Sequence, residues 1–275
     1  MTLRHGDRGQ DVRTLQLNLN RAGAQLTVTG NYDDATEAAV RAFQQRAGLV
    51  VDGDAGPKTL SALGGGQTAH MLRQGALRDA AERLGVPLAA VQAVNAVESS
   101  GAGFVPNGRP AILFERHVMY ARLKAAPRPG QTPAQRLAEL ENLVRLYPNV
   151  VNPTPGGYVG GNAEHQRLAT ARQIDDTIGI ESASWGLFQI MGHHWSRLGY
   201  PSAQAFAQAM GEDEGQQLEA FVRFIETDPA LRKALKSRRW AEFARLYNGP
   251  AYARNLYDVK LERAFERFSL AEAAA

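Results

Sequence analysis

Glu98 is the residue best suited to acid–base chemistry in this chain of 275 residues. It lies near the end of an apolar run that opens at Pro87 and predicts a helix. Three apolar residues share its helical face: Leu88, Val91 and Val94. Apolar surroundings and the negative end of the helix dipole both favour a protonated carboxyl, which a general acid for glycosidic cleavage requires. A single glutamate near a helix end is more often solvated, so spacing alone does not decide its role.

Other catalytic groups are few. The sequence has no cysteine, which excludes a disulfide framework and a thiolate nucleophile or metal ligand. His193 and His194 are adjacent and, with His117, lack a glutamate at the spacing of a His-Glu-x-x-His motif. We therefore expect no metal site and no cofactor. The pattern Gly-x-Ser-x-Gly is also missing, so a serine esterase has no support.

The composition is that of an ordinary globular protein, with 44% hydrophobic and 21% charged residues, and the length suits two domains. A net charge of +3 and an isoelectric point of about 9.3 favour binding to an anionic polymer. Arginines are scattered at helical spacing, so we expect no nucleic-acid partner. No stretch is long enough for a transmembrane helix, and residues 1–13 have no apolar core, so we expect neither membrane insertion nor a signal peptide.

Three consecutive glycines within residues 64–69 predict a flexible linker. The linker separates an N-terminal module, residues 1–63, from a C-terminal domain, residues 70–275. The pattern predicts three helices in the module, with these boundaries: Asp11 as the N-cap of the first and Gly23 after it, Gly48 after the second, and Gly56-Pro57 to Leu63 for the third.

The C-terminal domain is also predicted to be helical, because no alternating strand pattern is convincing. Helical periodicity covers residues 70–84, 88–99, 133–147, 163–174, 202–210, 214–226, 238–247 and 251–268. Residues 148–162 are rich in proline and glycine and predict a long loop, which in a compact domain is often functional. The expected fold class is therefore mainly all-α, with a small three-helix bundle linked to a larger helical domain.

The N-terminal module carries a specific order of glycine turns and apolar positions. Its motifs lie at residues 3–16, 40–44 and 52–59, together with Gly30-x-Tyr32-Asp33-x-x-Thr36. This pattern resembles the peptidoglycan-binding domain found in many wall hydrolases. The resemblance implies a cell-wall-binding module that includes Tyr32, Asp33 and Thr36, although most of the motif residues also serve simply to build the bundle.

Three motifs follow in order in the C-terminal domain: Glu98-Ser99-x-Gly101, Ser184–Met191 and Leu246-Tyr247-Asn248-Gly249. They resemble the lysozyme and lytic transglycosylase superfamily. More narrowly, Phe114-Glu115-Arg116-His117 and residues 181–191 are similar to the N-acetylmuramidase domain of phage endolysins, and the likeness spans about residues 70–268. The resemblance implies a lysozyme-like domain and, for the whole chain, a modular endolysin.

The resemblance also implies roles for single residues. Glu98 matches the catalytic acid, which outweighs the doubt left by spacing alone. Ser184, Gln189 and Tyr247 match positions in the substrate cleft that hydrogen-bond to sugars or stack on them. Gln189 offers a donor and an acceptor, and Asn248 can fix a substrate carbonyl. A tyrosine of the core is an almost equally good interpretation of Tyr247.

A second carboxylate is harder to assign. Glycoside hydrolases commonly use two, separated by about 5–5.5 Å for retention and about 6.5–9.5 Å for inversion. Glu115 and Glu181 are the candidates, because each lies beside a motif of the muramidase resemblance. We favour a scaffolding role for Glu115, paired with Arg116 or another cation. Asp175 and Asp176 are weaker candidates.

Three functions are compatible with these features. The first is hydrolysis of the β-1,4 bond between N-acetylmuramic acid and N-acetylglucosamine, with Glu98 as the general acid, which lyses bacterial cells. The second is lytic transglycosylation, in which the 6-hydroxyl of muramic acid attacks and gives a 1,6-anhydro product. The third is a non-catalytic wall-binding or tail-structural protein. The combined motifs at Glu98, Gln189, Tyr247 and Asn248 argue against the third.

The expected partner is peptidoglycan, and we expect a monomer. A protein made in the bacterial cytoplasm without a signal peptide needs another protein to permeabilise the membrane before it reaches the wall. That route is typical of a phage product, and export by a dedicated secretion machine is the alternative.

Overall fold

The computed structural model describes residues 1–99, 101–126 and 129–273. These residues are mainly helical, as predicted, and none of their helices has the length and apolar character needed to cross a membrane. The helices are α1 Gln10–Arg21, α2 Asp34–Arg46, α3 Pro57–Leu63, α4 Gln74–Leu84, α5 Leu88–Glu98, α6 Arg116–Ala125, α7 Pro133–Leu146, α8 Asn162–Ile174, α9 Asp176–Glu181, α10 Ala203–Met210, α11 Glu214–Glu226, α12 Pro229–Lys236, α13 Trp240–Asn248 and α14 Tyr257–Ala273.

The chain divides into two compact units. The first unit is Met1–Val97 together with Ala230–Ala275, and the second unit is Glu98–Pro229. The predicted linker lies within the first unit, where the N–H groups of Gly64 and Gly66 donate to carbonyls of the last turn of α3 and cap that helix. The module boundary at residues 64–69 stays a prediction, and it does not coincide with the division between the units.

The N-terminal module is a three-helix bundle with an internal repeat. Gln16 Nε2 in α1 donates to Thr36 Oγ1 at 3.0 Å, and Gln44 Nε2 in α2 donates to Thr59 Oγ1 at 3.0 Å. Both glutamines and both threonines are buried. The side-chain amides of Gln16 and Gln44 therefore each hold the next glycine turn, and the helix after that turn, against the helix that carries the glutamine. The core between the helices consists of Leu3, Val12, Leu15, Leu19, Tyr32, Val40 and Ala55.

A small antiparallel sheet lies in the second unit. Its strands, in order across the sheet, are β1 Ile112–Phe114, β2 Ala183–Trp185 and β3 Ile190–Met191. Leu113 pairs with Ser184, and Ser184 pairs with Met191, so β2 is the central strand. The sequence gives no sign of this sheet, because strands of two or three residues are too short for alternation and β2 is buried throughout.

Several helix ends differ from the predictions. Helix α1 begins at Gln10 with Gly9 as its N-cap, so Asp11 is not the cap and instead lies in the first turn, where its charge complements the helix dipole. The predicted helix over 251–268 is two elements, a 3₁₀ helix at Pro250–Asn255 and α14, because Leu256 adopts a left-handed φ of 52° between them. Helices α6, α9 and α12 were not predicted, although α12 buries Leu231, Ala234 and Leu235 at helical spacing.

Candidate active site

Glu98 is the last residue of α5. The helix before it is buried from Ala89 to Val94, and Val91 and Val94 are 2% and 0% exposed. The side chain of Glu98 is itself partly buried. The apolar helix predicted from the sequence is therefore present. Glu98 lies at its end, where the helix residues change from buried to partly exposed. Ser100, in the motif that follows Glu98, lies outside the described residues.

The turn between β2 and β3 holds Gln189 in a fixed orientation. Ser184 Oγ donates to Gln189 Oε1 at 2.7 Å, and Gln189 Nε2 donates to Gly186 O at 2.8 Å. Gln189 adopts a φ of 51°, a left-handed conformation that costs a residue with a side chain about 1–2 kcal/mol. The structure thus brings Ser184 and Gln189 together, and both polar ends of the Gln189 amide are oriented before any ligand binds.

Gln217 of α11 connects this turn with the segment that follows Glu98. Its Oε1 accepts a hydrogen bond from the backbone N–H of Leu187 at 2.7 Å, and its Nε2 donates to Gly103 O at 3.1 Å. Gln217 is 1% exposed. A Cβ at Gly186 would lie 2.6 Å from Gln217 Cδ, so that turn needs a glycine. The sequence analysis missed Gln217, although a glutamine on the apolar face of a predicted helix is a usable signal.

Glu181, one candidate for a second carboxylate, has partners on both oxygens. Arg122 Nε donates to Glu181 Oε2 at 2.6 Å, and Trp195 Nε1 donates to Oε1 at 2.8 Å. The Glu181 side chain is only 9% exposed, and its ion pair with Arg122 joins α9 to α6. These contacts suit a residue that holds two helices together.

Glu115, the other candidate, lies at the N-cap of α6 and is held from a different direction. Tyr158 OH donates to Glu115 Oε2 at 2.7 Å, and His117 Nδ1 lies 3.2 Å from the same oxygen. Burial first, and then the hydrogen bond to Glu115, raise the pKa of Tyr158. Pairing of Glu115 with the neighbouring arginine is not what the structure shows, because Arg116 instead donates to three loop carbonyls, those of Pro148, Thr154 and Pro155.

The predicted loop lies between α7 and α8, and Glu164 fixes its end. Glu164 Oε1 accepts from the N–H groups of Val159 and Gly160, while Oε2 accepts from Phe114 N and from Arg167. Burial by itself raises the pKa of Glu164, but the hydrogen bonds and Arg167 outweigh it and lower the pKa. The loop is therefore anchored to β1, and it carries Tyr158 to Glu115.

Comparison with known proteins identifies both parts of the chain. Residues 87–269 match the N-acetylmuramidase family, and residues 8–63 match a peptidoglycan binding domain. The chain belongs to the N-acetylmuramidase family. The crystal structure of the Burkholderia AP3 phage endolysin is similar to it over 98% of this chain and 99% of that one, with 53% identity and a TM-score of 0.88.

A second relative is similar to a short part of this chain. A zinc D-Ala-D-Ala carboxypeptidase of Streptomyces albus G is 44% identical over 63 residues, which are 22% of this chain. The match spans only 25% of that relative's length.

Tyr247 and Asn248 end α13, which belongs to the first unit. The Tyr247 ring stacks on Phe243 with the ring centroids 5.9 Å apart, and both side chains of the motif are partly buried. Tyr247 thus has one face against Phe243 and remains partly accessible, and its contact with sugars stays a prediction.

The residues expected to belong to the wall-binding surface have structural partners. Tyr32 is 1% exposed and donates from its hydroxyl to Gly53 O at 2.7 Å, and Thr36 is 0% exposed. Asp33 is exposed, and its carboxylate caps α2 by accepting from Thr36 N at 2.9 Å. The hydrogen bond from the Thr36 hydroxyl, and then the bond from Thr36 N, lower the pKa of Asp33. We expect Tyr32 and Thr36 to affect wall binding only through the shape of their turn.

The three histidines considered for metal binding lie in the second unit. His193 and His194 have ring centroids 4.2 Å apart, and burial first, then the neighbouring His193, lower the pKa of His194 to about 3. Within the part of the chain that the structure describes, no three histidine or acidic side chains are grouped as metal ligands.

Proposed function

We propose that this chain is an endolysin that hydrolyses the β-1,4 bond between N-acetylmuramic acid and N-acetylglucosamine in peptidoglycan, with Glu98 as the general acid. Membership in the N-acetylmuramidase family and similarity to a phage endolysin support cleavage of glycan strands at the cell wall. The single observation that carries the role of Glu98 is its position, partly buried at the end of the buried helix α5.

In the proposed reaction, Glu98 donates its proton to the glycosidic oxygen while the bond from that oxygen to the anomeric carbon of muramic acid breaks. A water molecule adds to the anomeric carbon, and the proton that the water loses returns to the Glu98 carboxylate. A carboxyl that is partly desolvated at a helix C-terminus favours the protonated state in which the cycle starts.

Gln189 is the proposed sugar ligand, with Ser184 as the residue that positions it. In the Gln189 amide, Oε1 keeps a second lone pair and Nε2 a second hydrogen, which can bind a sugar hydroxyl or an acetamido group. Strained backbone at a residue with a side chain is typical of functional sites, and Gln189 has it. Tyr247 and Asn248 are proposed as further sugar contacts on the family resemblance.

Glu181 and Glu115 are proposed as scaffolding residues. Both oxygens of Glu181 are occupied by Arg122 and Trp195, and Glu115 accepts from Tyr158. Of these three glutamates, Glu98 is therefore the one proposed for acid–base chemistry. A single carboxyl is also what a lytic transglycosylase needs, so transglycosylation is the second candidate function.

The deciding experiment digests sacculi with the intact chain in ¹⁸O-labelled water and analyses the products by mass spectrometry. Hydrolysis places the label on the new reducing end, whereas transglycosylation gives unlabelled 1,6-anhydro products. Glu98→Gln is expected to abolish both release of fragments and clearing of permeabilised cells. It should leave binding to sacculi and the unfolding temperature unchanged.

Three outcomes contradict the proposal. Anhydro products from the intact chain replace hydrolysis by transglycosylation. Full activity in Glu98→Gln removes Glu98 from the acid role, and absence of any fragment release by the intact chain leaves a non-catalytic wall-binding protein.

A further inference from the structure

The loop between α7 and α8 presents an exposed aromatic side chain beside the small sheet. Tyr158 is 48% exposed, and Val159 after it is 65% exposed. Aromatic side chains that are exposed on an ordered loop are typical of binding surfaces. Tyr158 belongs to none of the motifs that carry the family resemblance, so its use has to be argued from its contacts.

The loop keeps its shape without help from the Tyr158 side chain. Glu164 accepts hydrogen bonds from the N–H groups of the two residues that follow Tyr158. The guanidinium groups of Arg116 and Arg167 donate to five carbonyls of the loop, those of Pro148, Asn149, Thr154, Pro155 and Gly156. Because backbone groups make these contacts, a substitution of the Tyr158 side chain should leave the loop in place.

The Tyr158 ring is oriented at its hydroxyl and on one face. The hydroxyl donates to Glu115 Oε2 at 2.7 Å. Arg167, itself 6% exposed, lies over the ring with its Cζ atom 6.0 Å from the ring centroid. The exposed part of the ring is therefore the opposite face. A rigid aromatic face offers a large contact area at a small cost in conformational entropy.

The register of the sheet places Glu115 on the same side as Gln189. Leu113 pairs with Ser184, and side chains alternate along a strand, so Leu113, Ser184 and Glu115 face one side of the sheet. Gln189 lies on that side too, because Ser184 Oγ donates to it. Glu115 is two residues, or about 7 Å, beyond Leu113. A polymer strand that binds Gln189 and runs in that direction therefore reaches Tyr158.

We propose that the exposed face of Tyr158 binds a pyranose ring of the glycan strand, next to the sugar that contacts Gln189. One face of a pyranose consists of C–H groups, which pack on an aromatic ring while the hydroxyls stay in water. Glu115 is then a positioning residue, because it orients the ring through the tyrosine hydroxyl. The choice of a glycan strand as the ligand rests on the proposed function.

The test compares Tyr158→Ala with Tyr158→Phe on glycan strands freed of stem peptides and separated by length. Both variants lose the hydrogen bond to Glu115, but only Tyr158→Ala loses the ring. We expect Tyr158→Ala to raise KM by about tenfold on long strands while kcat stays within about twofold, because the ring binds substrate and transition state alike. Tyr158→Phe should keep KM within about threefold of the parent.

Strand length separates sugar contact from a structural role. Strands too short to reach from the cleavage site to Tyr158 should be cleaved equally by Tyr158→Ala and the parent, whereas a damaged fold slows cleavage at every length. Tyr147→Ala is the matched control, because Tyr147 is 40% exposed at the end of α7 in the same unit. It should behave as the parent does on all strands.

Three results overturn the proposal: equal KM of Tyr158→Ala and Tyr158→Phe on long strands, the same loss at every strand length, or a loss seen only on strands that keep their stem peptides. The last of these makes Tyr158 a peptide contact. Failure of the proposed function is seen separately, as activity that survives Glu98→Gln or as no fragment release by the parent. In the second case calorimetry with long strands compares the same variants, and equal affinity of Tyr158→Ala and Tyr158→Phe overturns the proposal.

Discussion

The buried side chain of Gln217 accepts a 2.7 Å hydrogen bond from the backbone N–H of Leu187. It thereby fixes the turn that presents Gln189, and through Nε2 it also binds Gly103, five residues beyond Glu98. The segment after the proposed acid, Glu98, and the turn with the proposed sugar ligand, Gln189, thus both hydrogen-bond to the side-chain amide of Gln217. Their relative position depends on a residue that touches neither sugar nor proton.

We predict that Gln217→Leu loses most of its activity on sacculi although Glu98 and Gln189 are unchanged. The substitution removes the acceptor of the Leu187 N–H and the donor to the carbonyl of Met210, whereas the carbonyl of Gly103 still accepts from Ala111 N. Each buried group that loses its partner costs about 1–3 kcal/mol of stability. Fragment release well below the unfolding temperature, together with urea unfolding, measures both effects.

The neighbouring Gln216→Leu serves as the control for Gln217→Leu. Gln216 is only partly buried and follows the same N-cap of α11. Its substitution should change stability by less than about 0.5 kcal/mol, as is usual for surface positions. Equal loss of activity in the two variants would show that α11 tolerates no change and that Gln217 has no special positioning role.

Two substitutions of Gln189 separate the effect of its strained backbone on stability from the effect of its side chain on activity. Both Gln189→Ala and Gln189→Gly remove the amide, so fragment release should fall by the same large factor in each. At a φ of 51°, however, glycine is free of the strain that alanine keeps, so the glycine variant should be more stable by about 1 kcal/mol. Thermal unfolding checks the difference, and an alanine variant with full activity contradicts the sugar-contact role.

Glu181→Gln tests whether the ion pair with Arg122 is scaffolding. The variant leaves a guanidinium without its anion, which costs about 3–5 kcal/mol for a fully buried pair. Because the Arg122 side chain is 35% exposed, solvent screens the loss, and we expect about 1–2 kcal/mol. Activity measured well below the unfolding temperature should stay within about threefold of the parent.

A more exposed pair gives the comparison for Glu181→Gln. Glu219 and Arg223 are paired in α11 with side chains 28% and 34% exposed, so Glu219→Gln should cost less than about 1 kcal/mol. A fall in activity of a thousandfold or more in a folded Glu181→Gln protein would instead assign the second catalytic carboxylate to Glu181.

The order of the helices follows from local sequence, whereas the partners of the site residues do not. The sequence predicts both the position of Glu98 at the end of an apolar helix and the loop over 148–162, because helical spacing and Pro–Gly content are local signals. The bond from Tyr158 to Glu115 joins residues 43 apart, and the bond from Arg122 to Glu181 joins residues 59 apart. No spacing rule predicts such contacts, because tertiary packing creates them.

The stability of the protein should fall in acid partly because of His194. Burial lowers the folded-state pKa of His194 to about 3, below the ordinary value of 6.5, so only the unfolded chain takes up a proton between these values. The free energy of unfolding therefore declines as the pH is lowered from about 6.5 towards 3, by at most about 1.4 kcal/mol per pH unit from this group.

His194→Gln isolates that contribution, because the variant cannot take up the proton. Urea unfolding at pH 7 and pH 4.5 should show a smaller loss for the variant than for the parent. Identical curves for the parent and His194→Gln would mean that His194 takes up no extra proton on unfolding.

Deleting residues 1–66 should separate delivery from chemistry. Soluble glycan fragments should still be cleaved, because Glu98 and Gln189 lie outside the deleted segment. Action on intact sacculi should weaken, because the catalytic domain loses the effective concentration that a wall-binding module supplies. Rates on both substrates, measured side by side, give the comparison.

The contacts of the module sharpen this prediction. The deletion also removes the bonds that Val51 and Asp54 make to Gln74 and Arg267, so some stability is lost along with wall binding. Arg267→Gln in the full chain breaks one of these contacts while keeping the module, and it should leave activity on sacculi close to that of the parent. If the deletion lowers both rates by the same factor, the module acts by stabilising the C-terminal domain. Loss of wall binding alone would leave the rate on soluble fragments unchanged.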